Sequence, residues 1–469
     1  MRKPDFRNKL FQQLGHVADE MGVYLYVVGG YVRDRFLNRK NDKDIDLVVV
    51  GDGPVFAERA ADQLGAEKVT IYKRFGTAMI YHRGRTLEFV GARKESYRGD
   101  SRKPDVERAS LADDLRRRDF TINAIAVALN RENYGQLVDP FDGRSDLEAG
   151  IIRTPLDPQK TFYDDPLRIM RAVRFSSQLH FHIDARTGAG LKSEAHRLSI
   201  ISQERITDEL KKILACPKPS VGFHLMHETG ILDVILPEIA NLRGVDRVGT
   251  HRHKDVFLHT IKVLDNLARM SDKLKLRIAA LYHDVAKPAT KAYDPHVGWT
   301  FHGHEEIGAR LFQKIGRRLR LSNETILYVM KMIRLHLRPI HLAEEGVTDS
   351  AIRRLIYNAG DDIDDLITLC RADITSGNPQ RVKKHLANFD YIVQRIGEVE
   401  EKDRLRNFQP PVRGDEIMQV LGLPQGPLVG KIKNAIEEAI LNGDIANQHE
   451  AAFDYMMRIK DKLLGDSKS

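Results

Sequence analysis

Two aspartates inside an otherwise apolar run constrain this chain more tightly than any other feature. Asp44 and Asp46 bracket Ile45, and residues 45–50 continue without another charge after Asp46, which predicts a strand. Strand side chains alternate between faces, so Asp44 and Asp46 point the same way. Like charges held together on one face of a greasy strand are costly unless a cation sits between them. Oxygen ligands of this kind suit Mg²⁺. Just upstream, Val27 and Val28 run into Gly29 and Gly30 and then into a predicted helix over 31–37 carrying Arg33. Glycines at a strand-to-helix junction let backbone N–H groups approach a phosphate closely. A phosphate cradle beside a pair of metal-binding carboxylates points to nucleotidyl transfer.

The surrounding pattern gives this pair a context. Apolar spacing predicts a helix over 5–21, a strand over 24–28, a helix over 55–64 and short strands over 68–72, 77–82 and 85–90. The expected fold is an α+β head, a small mixed sheet with helices, followed by a mostly helical remainder. Glu88 stands between Leu87 and Phe89 and faces away from both. It reads either as a third carboxylate for the metal or as an exposed strand glutamate. Residues 91–108 are polar and read as a mobile loop, in which Arg93, Lys94, Arg98, Arg102 and Lys103 either line a route for a polyanion or are simply solvated. Residues 113–126 open as a charged helix entry with three arginines, then bury Phe120, Ile122, Ile125 and Val127. Arg117, Arg118 and Asp119 sit where a nucleotide sugar and phosphates can be gripped. A strong helix is expected to open at 164–168 and run to 179, with Asp165 and Arg168 three apart on one face. Such a pair either reads a base by hydrogen bonds or is a capping acid with a surface ion pair.

A second chemical centre follows. His259 lies in a predicted amphipathic helix, His283 and Asp284 follow an apolar helical run, and His304, His336 and Asp373 come later in helical segments. An adjacent His-Asp pair flanked by spaced histidines and a later aspartate is a metal-ligand inventory. From 386 onward the chain reads as helical, with a Pro/Gly linker over 408–414, a break over 422–427, and basic residues including Lys431, Lys433, Arg458, Lys460 and Lys462.

Bulk properties narrow the class. A chain of 469 residues implies three or four units, and the expected division is 1–150 head, 151–245 helical neck, 246–375 second metal domain and 376–469 tail. A net charge of +8 favours an anionic partner, nucleic acid first. With only Cys216 and Cys370, a disulfide framework is excluded and a reducing compartment is favoured. Residues 1–14 are charged throughout and lack the apolar core of a signal peptide, and no apolar run is long enough to span a bilayer. The expected location is the cytoplasm, with no membrane partner; oligomeric state is not readable.

Taken together, these stretches resemble a known family. GGYVRD with DID is similar to the nucleotidyltransferase signature of bacterial-type (class II) tRNA nucleotidyltransferases and poly(A) polymerases. RRRDFTINAIA resembles the family's ribose-selecting, head-to-neck segment. DDPLRIMRAVRF resembles its base-reading helix, which in relatives usually begins Glu-Asp, so Asp164 replaces that Glu. Residues 259–373 are similar to an HD phosphohydrolase domain, and 413–447 resemble the ending common among CCA-adding enzymes. The resemblance implies template-free addition of CTP and ATP to the 3′ end of tRNA, with Mg²⁺ held by Asp44, Asp46 and Glu88. It implies that Gly29, Gly30 and Arg33 hold the triphosphate, and that Arg118, Asp119 and Asn123 handle the sugar and favour a ribose. Asp165 and Arg168 would read the base, and Arg171 further along the same helix would help bind the nucleotide. The six His and Asp residues of the second centre would hold a transition metal such as Ni²⁺ or Mn²⁺. Same-chemistry alternatives are poly(A) polymerase and an enzyme adding only CC or only A. From other classes, the alternatives are an HD-type phosphohydrolase whose front domain holds RNA and a non-catalytic RNA-binding protein.

Overall fold

The computed structural model describes residues 4–39, 42–66, 68–72, 76–96, 105–244, 247–248, 251–252, 255–345, 348–403 and 410–465. It divides into two units, Met1–Pro237 and Glu238–Ser469.

The first unit is built on a seven-stranded mixed sheet. Its strands are β1 (Tyr24–Val28), β2 (Asp44–Val50), β3 (Val69–Tyr72), β4 (Thr77–His82) and β5 (Arg85–Gly91), closed by β8 (Ala126–Ala128) and β9 (Leu137–Val138). Their spatial order is β3-β4-β5-β2-β1-β8-β9. Only β2 and β5 run parallel, and their register sets Asp46 beside Glu88. The other neighbours are antiparallel. One face is covered by the amphipathic helices α1 (Lys9–Glu20) and α3 (Gly53–Leu64), which bury Phe11, Leu14, Phe56 and Ala60. A short helix, α2 (Gly30–Phe36), fills the turn between β1 and β2. Val28, Val48, Leu115, Ala124 and Ala126 form a cluster that fixes the end of the sheet where the aspartates lie.

Two expectations are corrected here. Residues 91–108 are not simply a loop. Residues Arg93–Ser96 (β6) and Asp105–Arg108 (β7) pair as an antiparallel ribbon, ladder-bonded from Arg93↔Arg108 to Ser96↔Asp105. Charged residues can also pair as a two-stranded ribbon, so polarity alone did not distinguish it from a loop. Arg98, Arg102 and Lys103 lie outside the described residues. The second correction concerns residues 164–168. Asp164 ends a helix, α6 (Pro158–Asp164), instead of opening one, and the next helix, α7, spans Leu167–Leu179. Asp165 between them is extended, φ −137° and ψ 95°. A residue preceding proline is pushed out of the α region, so Pro166 forces the break.

After the sheet, α7 packs on the later helix α9 (Gln203–Leu214), which continues a helical stretch to Ile235. The second unit is mostly helical. Its elements include Val256–Met270, Leu274–Tyr282, His304–Arg318, Asn323–Leu335, Ile363–Asp373 and Pro379–Asp403, with Gly414–Leu421, Pro427–Asn442 and His449–Gly465 at the end. Cys216 and Cys370 are both buried thiols, not joined in a disulfide. No helix among the described residues is long and apolar enough to cross a membrane.

Candidate active site and metal centre

The first unit holds a cavity of ≈ 510 Å³ whose walls carry Gly29, Gly30, Arg33, Asp44, Asp46, Arg117, Arg118, Asp119, Asn123, Asp165, Arg168, Arg171 and Arg174. Most of the residues singled out in the first 200 positions therefore converge. Asp44 and Asp46 reach it from one face of β2, as period-two alternation requires. Burial pushes the Asp46 carboxyl above its usual range, partly offset by Arg118 and Arg171. A carboxylate pair held on one face of an apolar strand suits a divalent cation. Glu88 is the register neighbour of Asp46 on β5, although it does not line the cavity.

Gly29 caps α2 with φ +70°. A Cβ there would sit 3.0 Å from Arg118 Nη1 and 3.1 Å from Asp46 Oδ2, so the conformation favours glycine and a side chain would press on both groups. Arg33 is buried. Its Nε donates to Asp34 Oδ1 at 2.8 Å and its Nη1 to Asn123 Oδ1 at 2.9 Å.

The RRRD stretch is oriented by a residue that charge patterning alone did not identify as important. Ser110 and Asp113 form a capping box that starts a short helix, α4 (Leu111–Arg116). Asp114 in its first turns is fully buried and takes Arg117 through Nε at 3.0 Å and Arg118 through Nη2 at 3.2 Å. Burial raises its carboxyl, but the two guanidiniums outweigh that and hold it below the usual range. The i,i+3 and i,i+4 spacing was the available signal. The helix stops at Arg116; a single 3₁₀ turn, Thr121–Asn123, then leads into β8. Phe120, Ile122, Ile125 and Val127 are buried as expected.

Asp119 is the most constrained carboxylate in the cavity. Its Oδ1 accepts from Phe120 N at 2.9 Å and Asn123 Nδ2 at 3.0 Å, and its Oδ2 accepts from Arg171 Nε at 2.7 Å. Burial alone would raise it, but the Arg171 charge and these hydrogen bonds hold it at about 2, down from 3.8. A depressed folded value contributes stability above the unfolded value and loses it as pH falls through the folded one. Asp119→Asn is therefore expected to cost about 2 kcal/mol at pH 7, a penalty that shrinks as pH drops below 3.8 toward 2. Chemical denaturation across that range measures it; a penalty independent of pH contradicts the assignment.

Asp165 and Arg168 are brought to the same cavity, but not along one helical face. Asp165 Oδ1 accepts from Leu167 N at 3.2 Å, at the start of α7, while Arg168 Nη2 donates to Arg117 O at 2.6 Å. The tether to Arg117 joins the helix α7 to the RRRD segment.

In the second unit all six candidate ligands converge. His259 comes from Val256–Met270, His283 and Asp284 directly follow Leu274–Tyr282, His304 opens its helix, His336 caps Asn323–Leu335 and Asp373 ends Ile363–Asp373. Three imidazoles are oriented alike, with Nδ1 on the carbonyl three residues back: His283 on Ala280 O at 2.8 Å, His304 on Phe301 O at 2.7 Å, His336 on Ile333 O at 2.7 Å. His259 Nδ1 meets Thr375 Oγ1 at 2.9 Å. A protonated Nδ1 on a carbonyl leaves the Nε2 lone pair for a metal. The ligand atoms fall into two trios, His259–His283–Asp373 and Asp284–His304–His336, each within one ion's reach. The Asp284 carboxylate lies between them, Oδ2 3.2 Å from His283 Nε2 and Oδ1 3.4 Å from His304 Nε2. His283 Nε2 and Asp284 Oδ1 are buried without a hydrogen bond, which a bound cation resolves. Burial and the neighbouring His283 push His336 down to about 4, keeping it neutral as a ligand must be. Lys287, overlooked in the sequence, places Nζ 2.7 Å from Asp284 Oδ2.

Comparisons with known proteins agree with this geometry. A sequence profile described as "Poly A polymerase head domain" matches residues 25–153, one described as "Probable RNA and SrmB- binding site of polymerase A" matches 180–242, and an HD domain profile matches 256–378. The chain is 34% identical to the A-adding tRNA nucleotidyltransferase of Deinococcus radiodurans over 73% of its own length and 78% of the relative's. It is 31% identical to the CC-adding tRNA nucleotidyltransferase of Thermus thermophilus over 91% and 92%. Among solved structures, the Bacillus stearothermophilus CCA-adding enzyme in complex with CTP superposes with a TM-score of 0.66, at 25% identity, over 98% of this chain and all of the other. The chain thus belongs to the tRNA nucleotidyltransferase family that shares the poly(A) polymerase head, and carries an HD domain behind it.

Proposed function

We propose that this chain completes or repairs tRNA by adding C, C and A to the 3′ end from CTP and ATP, without a template. The observation that supports this reading most is the shared cavity, where Asp44 and Asp46 face the RRRD segment and the Asp165–Arg168 edge. Asp44 and Asp46, with Glu88 alongside in register, would hold Mg²⁺, whose chemistry there is to activate the RNA 3′-hydroxyl and neutralise the triphosphate. Gly29 and Gly30 leave room for the triphosphate, and Arg33 and Arg118 supply positive charge to it. Asp119, held by Asn123, would accept from the ribose hydroxyl. Asp165 and Arg168 present one acceptor and one donor group to the base, and unpaired buried polar groups penalise a wrong one.

A second reading, addition of CC or A alone, is favoured by relatives of both kinds at 31% and 34% identity. In the second unit, we place a divalent transition metal, Ni²⁺ or Mn²⁺, on His259, His283 and Asp373, with Asp284 shared toward His304 and His336. This would give the HD domain a phosphohydrolase activity. The four-part division at 150, 245 and 375 and a cytoplasmic location complete the proposal.

The base-reading assignment is tested by Asp165→Ala and Arg168→Ala. Selectivity for CTP and ATP over UTP is expected to fall by about 10- to 100-fold in each. Slower addition at unchanged selectivity would assign the pair to structure alone.

A further inference from the structure

Arg171 stands on α7 among the cavity-lining arginines and reads at first as one more anion ligand. Its nitrogens are engaged differently. Nε lies 2.7 Å and Nη2 2.6 Å from a single oxygen, Asp119 Oδ2. The other oxygen, Oδ1, is bound by Phe120 N and Asn123 Nδ2, both from the segment that carries Asp119. Those local contacts anchor one corner of the carboxylate. Rotation about its last bond is stopped by the Arg171 contact, which comes from a different element. Arg171 is itself braced. Its guanidinium lies 5.4 Å from the Phe175 ring centre, and Arg174 covers the same ring at 4.4 Å while pairing with buried Glu209 of α9 at 3.2 Å.

We propose that Arg171 is a positioning residue: it clamps Asp119 at the angle needed to accept from a ribose hydroxyl, and this clamp sets the preference for ribonucleotides over deoxyribonucleotides. The inference rests on the assignment of Asp119 to the ribose. A guanidinium spanning two donors to one oxygen holds an angle, whereas an ammonium supplies only a charge. Lysine at this position therefore separates the two roles.

The test compares kcat/KM for CTP and dCTP on a tRNA lacking its CCA end, in the full-length enzyme and in Arg171→Lys, Arg171→Ala and Asp119→Ala. The CTP/dCTP ratio is internal to each variant, so a partly unfolded sample does not distort it. The ratio is expected to fall by about tenfold or more in Arg171→Lys as well as in Arg171→Ala, because a misplaced contact loses most of its discrimination. Should Arg171→Lys keep the wild-type ratio, or should both Arg171 variants raise KM equally for CTP and dCTP with the ratio intact, Arg171 is an ordinary anion contact and the proposal is overturned. An unchanged ratio in Asp119→Ala would instead overturn the ribose assignment on which it rests.

Discussion

Replacing Asp44 and Asp46 together with alanine abolishes nucleotide incorporation, by about three orders of magnitude or more, while tRNA binding persists. The expectation follows from the position of the two carboxylates. They project from one face of β2 into a cavity otherwise dominated by arginines, and they are the acidic pair best placed to bring a divalent cation to a triphosphate. Phosphoryl transfer depends on charge neutralisation and alignment, so their loss removes both at once. The structure adds a counterintuitive corollary. Asp46 is held above its usual titration range by burial, and Asp44 adds like charge beside it. Removing the pair therefore relieves a desolvation cost that the neighbouring arginines only partly offset, and the double variant should melt no lower than the wild type. An inactive variant of undiminished stability separates a catalytic role from a structural one; retained incorporation removes the transferase assignment from this cavity.

The second large effect lies in the other unit. His283→Ala, and Asp284→Asn as a gentler change, should abolish bound transition metal and reduce phosphatase or cyclic phosphodiesterase turnover by at least about a hundredfold. Nucleotide addition should stay within about twofold of wild type, because the change falls in a different unit from the cavity. The reason is that His259, His283, Asp284, His304, His336 and Asp373 all lie within Glu238–Ser469, whereas the cavity residues all lie within Met1–Pro237. His283 and Asp284 are buried, so alanine at either leaves its partner uncompensated and lowers stability by about 3 kcal/mol or more. Asparagine keeps the shape of Asp284 and guards against reading unfolding as lost chemistry. Metal content, measured directly, is the decisive readout. Turnover that survives loss of the metal contradicts the centre.

The sequence carried the local part of this account. Period-two alternation placed Asp44 and Asp46 on one face, and the apolar runs marked β1, β2, β4 and β5 to within a residue or two. Phe120, Ile122, Ile125 and Val127 were legible as core because apolar side chains bury wherever the backbone takes them. What stayed hidden depended on geometry between distant segments. The break at Asp165 was misjudged because acids before a proline also fit a helix start, and only the α6 helix before it shows that Asp165 joins two elements. The β6–β7 ribbon was concealed by its charge. Asp114 was not singled out within its charged helix entry, because only the fold turns Arg117 and Arg118 back onto it. In the second unit the ligand types were readable but not their partition: Asp284 is adjacent to His283 in sequence, yet its trio takes His304 and His336.

The account turns on what the cavity makes. A tRNA lacking its last three nucleotides, incubated with CTP alone, ATP alone and both, gives the direct answer on a sequencing gel. Growth by two nucleotides with CTP alone and by three with both, ending there, is the predicted result. A product that stops at two with both nucleotides, or that grows only when the substrate already ends in CC, would make the protein a partial adder. A long A tract, or no extension at all, would contradict the account.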